Sequence, residues 1–284
     1  MQPLKRPWRD YSGRVSPLKT AVFIGLFLPA LWVAYKFATD QLGARPLQEA
    51  LLEIGQWTLR LVFLALTITP LSRMLAWPRL NLVRRMLGVA AFAYVAAHLT
   101  LYTVSEAFNL GTVASEILKR IYLSIGFVAW LGLAALAVTS TDGMVRRMGP
   151  RRWQALHRFV YLVAAFGAWH FFLQTKLDET QPIVMIGLFG WLMGWRVLAW
   201  AYGRQPVPLW SVVLLSLAAG PFTAMAEALY FYLHMHVPID RVLMADLSLE
   251  TGVRPAWVVL GIVAAVTATA FGRAALRRPR LKPA

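Results

Sequence analysis

Eight stretches of roughly 17 to 25 predominantly apolar residues, each long enough to cross a hydrocarbon core of about 30 Å as a helix, constrain this chain more than any other feature. They run approximately Ala21–Ala38, Ile54–Leu71, Met86–Ser105, Ile117–Thr139, Trp153–Thr175, Pro182–Tyr202, Leu209–Leu233 and Pro255–Phe271. Lipid offers a backbone no hydrogen-bonding partner, so segments of this kind must close their own amide bonds as helices. Composition agrees: 58% of the 284 residues are apolar and 15% are charged, where a water-soluble domain carries about a quarter. The expected fold class is all-α, a polytopic transmembrane helix bundle of about eight spans. The second span is the weakest, because Gln56 and Arg60 interrupt its early part.

The net charge of +16 comes from short clusters between the apolar runs. It therefore reads as a topology signal and not as a nucleic-acid surface. With a cytoplasmic N-terminus, the inner segments hold Lys5, Arg6, Arg9, Arg14 and Lys19, then Arg73, Arg79, Arg84 and Arg85, then Arg146, Arg147, Arg151, Arg152 and Arg158. Arg196 and Arg204 follow, then Arg273, Arg277, Arg278, Arg280 and Lys282, which places 21 of the 29 basic residues inside. Asp40, Glu49, Glu53, Glu106, Glu116, Asp178, Glu179, Asp240, Asp246 and Glu250 fall outside. The basic residues alone make both termini cytoplasmic. The first span follows a basic segment, as a signal peptide would, but its length and the polar run Tyr35–Asp40 mark it as retained. Trp8, Trp57, Trp77, Trp153, Trp191 and Trp257 sit near span ends, where interfacial anchoring is expected.

The chain has no cysteine, which removes disulfides, iron–sulfur clusters, Cys-ligated zinc, covalent haem attachment and thiol redox chemistry. Redox function would need a bound cofactor, and histidine, a principal haem ligand, occurs five times. His98 lies 13 residues beyond Arg85, roughly 20 Å into the membrane. The fifth span enters from the same side, with His157 near its entrance and His170 another 13 residues on, so His98 and His170 reach comparable depth. Two neutral imidazoles from parallel helices can supply both axial ligands of a haem iron, leaving no open position and favouring electron transfer. The alternative is an interhelical hydrogen bond at each histidine. His157 lies about 140° from His170 around an ideal helix, and it pairs with no second central histidine. It is a candidate ligand of a second redox group, with Met86 or Arg85 at similar depth.

Around His157 the sequence reads GPRRWQALHR. Arg84, Arg85, Arg151, Arg152 and Arg158 are candidates to meet a phosphate or haem propionate, and Trp153 to stack on a flavin ring. The bland reading is positive-inside anchoring and lipid headgroup contact.

Two runs carry a resemblance: TITPLSRMLAWPRLNLVRRMLGVAAFAYVAAHLTLY, from Thr67 to Tyr102, and AVTSTDGMVRRMGPRRWQALHRFVYLVAAFGAWHFF, from Ala137 to Phe172. The pattern TPL, WPRL, RRMLG, H, TS, RRWQxLHRxVY and a final H resembles the ferric-reductase-like transmembrane family. The likeness is to its branch of b-haem subunits in methionine sulfoxide repair. The resemblance implies a multi-pass bacterial inner-membrane protein holding one or two b haems and associated with FMN, the family's haem histidines matching His98, His157 and His170. It implies electrons arriving from a cytoplasmic flavin reductase or quinol donor. They would leave for MsrP, a periplasmic molybdopterin enzyme that reduces methionine sulfoxide, so this chain would serve electron transfer and not the sulfoxide chemistry. The expected organisation is a basic cytoplasmic tail (1–20), a haem-binding membrane bundle (21–204) and a C-terminal two-helix extension with a basic tail (205–284), which departs from the short family pattern after about Gln205. A quinol- or metal-reductase cytochrome of the wider family is the second redox reading. A transporter or assembly factor is the non-redox one.

Other candidates are weaker. His234 and His236 form an HxH pair without a visible third metal ligand. Glu227, inside the seventh span, suits a proton relay or a polar pairing. Arg60 and Gln56 suit a propionate, a quinone carbonyl or each other. Gly190 and Gly194 permit close helix packing. No P-loop or dinucleotide fingerprint is present, which leaves ATP-driven transport and autonomous NAD oxidation without support.

Overall fold

A computed structural model describes residues 8–9, 13–175, 179–248 and 252–277. Lys5, Arg6, Asp178, Glu250, Arg278, Arg280 and Lys282, counted above for charge, lie outside the described residues. Helix dominates, and the described residues contain no strand beyond an isolated bridge between Arg9 and Val15. The helices are α1 (Pro17–Gly25), α2 (Leu28–Ala38), α3 (Pro46–Met74), α4 (Asn81–Ser105), α5 (Leu110–Lys119), α6 (Ile121–Val138), α7 (Asp142–Met148), α8 (Pro150–His157), α9 (Val160–Gln174), α10 (Thr180–Ala201), α11 (Leu209–Met235), α12 (Ile239–Leu247) and α13 (Pro255–Arg277). They supply eight segments long and apolar enough to cross a membrane among the described residues, matching the eight expected from sequence.

The chain divides into two compact units. The first holds the residues up to Leu66 and Asn81–Gln174; the second holds Thr67–Leu80 and everything from Thr175 on. Helix α3 runs from one unit into the other and is the most buried span. The polar residues that weaken it in sequence are satisfied on its own surface. Arg60 donates to Gln56 Oε1 at 3.2 Å and lies 4.8 Å over the Trp57 ring, so one turn of helix answers the charge locally.

In the first unit the first span is broken in two. Between α1 and α2, the amide of Ala30 does not reach the Leu26 carbonyl four residues back. The Tyr94 hydroxyl from α4 enters that gap, accepting from Ala30 N at 3.1 Å and donating to Leu26 O at 2.6 Å. Pro29, which has no amide proton, sits beside the break. A side chain inserted into the amide ladder is a recognised cause of a kink. Tyr94→Phe removes both bonds and is expected to destabilise the protein by about 1–3 kcal/mol. A thermal midpoint in detergent equal to that of the wild type would count against this role.

The fifth span is interrupted as well. Gly149, at φ +76°, ends α7, and Pro150 opens α8 at a position where its missing amide costs nothing. Helix α8 then stops at His157 and α9 starts at Val160. The angle between His157 and His170 calculated for an ideal helix therefore does not apply, because two residues interrupt the helix between them.

In the second unit α10, α11 and α13 pack together. A Cβ on Gly190 would come 2.5 Å from Phe222, and one on Gly194 2.5 Å from Leu215, so this glycine face is filled by α11 of the same chain. Trp191, expected as an interface anchor, is instead buried, at 4% exposure. Its indole donates to Ser216 Oγ at 3.0 Å, which lies 2.9 Å from Thr267 Oγ1, and Thr267 donates on to Val263 O at 2.7 Å. With the Thr267 proton so engaged, Ser216 must donate to Thr267, giving a directed chain across three helices. The stretch between α11 and α13 contains α12.

Candidate functional site

His98 on α4 and His170 on α9 meet inside the first unit, their ring centroids 6.4 Å apart and their planes 80° to one another. Each ring is held in the same way. His98 Nδ1 lies 2.8 Å from the carbonyl oxygen of Leu51 on α3, and His170 Nδ1 lies 2.8 Å from that of Tyr122 on α6. A carbonyl only accepts, so Nδ1 must carry the proton in both rings, and Nε2 keeps its lone pair. This is the outer-shell arrangement typical of metal-ligating histidine, in which the second nitrogen donates to a fixed acceptor.

The separation tests the fit to a metal directly. Two metal–imidazole bonds of about 2 Å and two ring radii of about 1.1 Å set collinear ring centroids about 6.2 Å apart. The observed 6.4 Å is compatible with that centroid spacing. Two neutral nitrogen donors and no carboxylate suit haem iron.

His157 stands apart from this pair. Its ring stacks on Trp153 at 3.9 Å, and its Nε2 is 3.3 Å from Thr139 Oγ1. Trp153 is itself fixed, its indole donating to Thr139 O at 2.9 Å. Both rings line a cavity of 1410 Å³ in the first unit. One wall is a face of α4 at helical spacing, Met86, Ala90, Ala93 and Ala97, with Tyr94 beside it. The lining also includes Arg9, Lys19, Arg84 and Arg85, and Arg85 forms an exposed ion pair with Asp142 at 2.6 Å. Arg151, Arg152 and Arg158 are exposed and do not line this space. The structure therefore gathers Arg84, Arg85, Trp153 and His157 and leaves the other three arginines outside. Small side chains along one helix face and cations in the lining suit a planar, acidic ligand.

The remaining candidates resolve into structural contacts. His234 and His236 are exposed; His234 Nδ1 lies 3.1 Å from Tyr230 O, and its ring stacks on Tyr230. No group of three or more potential metal ligands occurs among the described residues. Glu227 forms an ion pair with Arg254 at 2.7 Å. The carbonyls of Leu51 and Tyr122 escaped sequence reasoning, because every residue carries a carbonyl and nothing in a side-chain pattern marks the one that a distant histidine will use.

Fold and site together define a polytopic membrane protein with an intramembrane pair of metal-competent histidines. Residues 51–168 match the family described as the ferric reductase like transmembrane component. Several curated relatives carry the name protein-methionine-sulfoxide reductase heme-binding subunit MsrQ. That of Caulobacter vibrioides is 42% identical over 62% of this chain and 84% of the relative. That of Rhodospirillum rubrum is 39% identical over 67% and 89%, and that of Polaromonas naphthalenivorans 38% identical over 66% and 88%. The chain belongs to this MsrQ family of ferric-reductase-like membrane subunits, and is a multi-pass protein of the bacterial inner membrane. No solved structure matches it.

Proposed function

We propose that this chain is the haem-binding electron-transfer subunit of a protein-methionine-sulfoxide reductase system, taking electrons from a cytoplasmic flavin or quinol donor and delivering them to a periplasmic MsrP-type reductase. The observation that carries this reading is the His98–His170 pair, with both Nδ1 atoms committed to carbonyls and the rings one metal apart. A b haem, when bound, supplies one-electron chemistry. The chain's own part is to hold both axial positions with neutral imidazoles, which favours electron transfer over substrate binding at iron. The carbonyl bonds from Leu51 and Tyr122 hold the rings in place. Sulfoxide reduction by thiol chemistry is unavailable to a chain without cysteine, which agrees with catalysis residing on a partner.

The cavity beside His157 supports a second cofactor, either another haem, with His157 as a ligand and a propionate at Arg84 or Arg85, or FMN, with its phosphate at the same arginines and Trp153 beside its ring. The clustering of basic residues supports a cytoplasmic position for this end and for both termini.

Purified from haem-replete cells, the protein is expected to show a b-type reduced-minus-oxidised spectrum and, once reduced, to transfer electrons to a matched MsrP. Absence of a haem spectrum would sink every redox reading and leave the transporter or assembly role. A haem spectrum without transfer to MsrP would favour a quinol- or metal-reductase cytochrome.

A further inference from the structure

We propose that Gly55 and Gly126 are positioning residues for the His98–His170 pair, each providing the lodging in which one imidazole reaches its backbone acceptor; this rests on the haem reading above. In an α-helix the carbonyl of residue i already accepts from the amide of residue i+4. An imidazole from another helix can use only the second lone pair of that oxygen, and one approach to it lies over residue i+4. Gly55 is four residues beyond Leu51, and Gly126 is four beyond Tyr122.

The distances show that the lodging has no room for a side chain. A Cβ on Gly55 would stand 2.8 Å from His98 Nδ1 and 2.9 Å from its Cε1. A Cβ on Gly126 would stand 2.7 Å from His170 Nδ1 and 2.8 Å from its Cε1. Contacts this short do not persist, so the ring would have to move, and the atom displaced first is the one bonded to the carbonyl. The construction occurs twice, on α3 for one ring and on α6 for the other. A packing accident would not be expected to repeat the same oxygen-to-glycine spacing and the same ring edge on two different helices. Its chemical consequence is electronic as well as steric. Donation from Nδ1 to a carbonyl makes Nε2 the more basic ligand, which favours ferric iron and holds the potential down.

The test uses the full chain in detergent. Gly55→Ala and Gly126→Ala are expected to keep wild-type helicity and elution, since alanine is the better helix former. Each should lose the low-spin bis-imidazole signature, or retain it with a raised midpoint potential. Gly261→Ala, whose Cβ enters open space on α13, should change nothing. Wild-type spectra and potentials in both test variants overturn the proposal. A wild-type protein without haem overturns the haem reading instead, so the two failures are distinguishable. A second pair of variants separates lodging from packing. His98→Gly should regain a low-spin spectrum when free imidazole is added, whereas His98→Gly combined with Gly55→Ala should not, because the methyl group fills the place beside the Leu51 carbonyl. Equal rescue in both, rescue in neither, or failure of the double variant to fold counts against the proposal.

Discussion

Replacing either His98 or His170 by alanine is expected to remove the same haem from a protein that otherwise folds. Each imidazole supplies one of two axial bonds, and the rings sit 6.4 Å apart with no further histidine at their level. Losing one leaves iron with a single protein ligand, and the low-spin spectrum should disappear in full. The loss should also be non-additive: the double variant should lack no more haem than either single one, because both substitutions strike one centre. His157→Ala is expected to leave this low-spin signal intact, since its ring is engaged with Trp153 and Thr139. Haem content per chain together with low-temperature electron paramagnetic resonance reads all three outcomes. An unchanged spectrum in folded His98→Ala would remove the pair from the proposed function.

The eight spans were legible because lipid imposes one rule on every segment, and a run of some twenty apolar residues has no other solution than a helix. The comparable depth of His98 and His170 was legible by counting, 13 residues from Arg85 to one and 13 from His157 to the other on spans read as entering from the same side, but depth alone did not bring the two rings together. What sequence counting missed depends on departures from an ideal helix. The 140° offset of His157 assumed continuity through Arg158 and Phe159, where the structure has a break. Nothing in the sequence marks the role of Tyr94, because the missing amide bond that it repairs lies on a different helix. Trp191 resembled an interface anchor by its place near a span end, but Ser216 offers it an acceptor inside the bundle. The two carbonyl acceptors belong to the same category. Their only trace in sequence is a glycine one turn later, and the chain has 19 glycines.

Arg254→Met is expected to destabilise the second unit by about 3–5 kcal/mol, the cost typical of removing one partner from a buried ion pair. One guanidinium holds two carboxylates there: Nη2 lies 2.7 Å from Glu227 Oε1, and Nε lies 3.1 Å from Asp246 Oδ1. The Glu227 and Asp246 side chains are only 3% and 5% exposed. Their other oxygens, Glu227 Oε2 and Asp246 Oδ2, are buried and do not meet Arg254. Without Arg254, two carboxyl groups face each other away from water with no cation between them, so they must either carry unpaired charge or take up a proton, and the contact joining α11 to the α12 end of the neighbouring segment is lost. The origin of the penalty can be separated from the loss of arginine packing, because methionine keeps most of the apolar stem. Adding Glu227→Gln and Asp246→Asn to Arg254→Met removes both stranded charges and should recover a large part of the stability. The same two amides opposite an intact Arg254 should not, since they leave the guanidinium as the unpaired charge. Apparent unfolding midpoints in detergent, with amide exchange across Leu209–Met235, measure both effects. If the triple variant is no more stable than Arg254→Met alone, the destabilisation comes from packing and the charge argument fails.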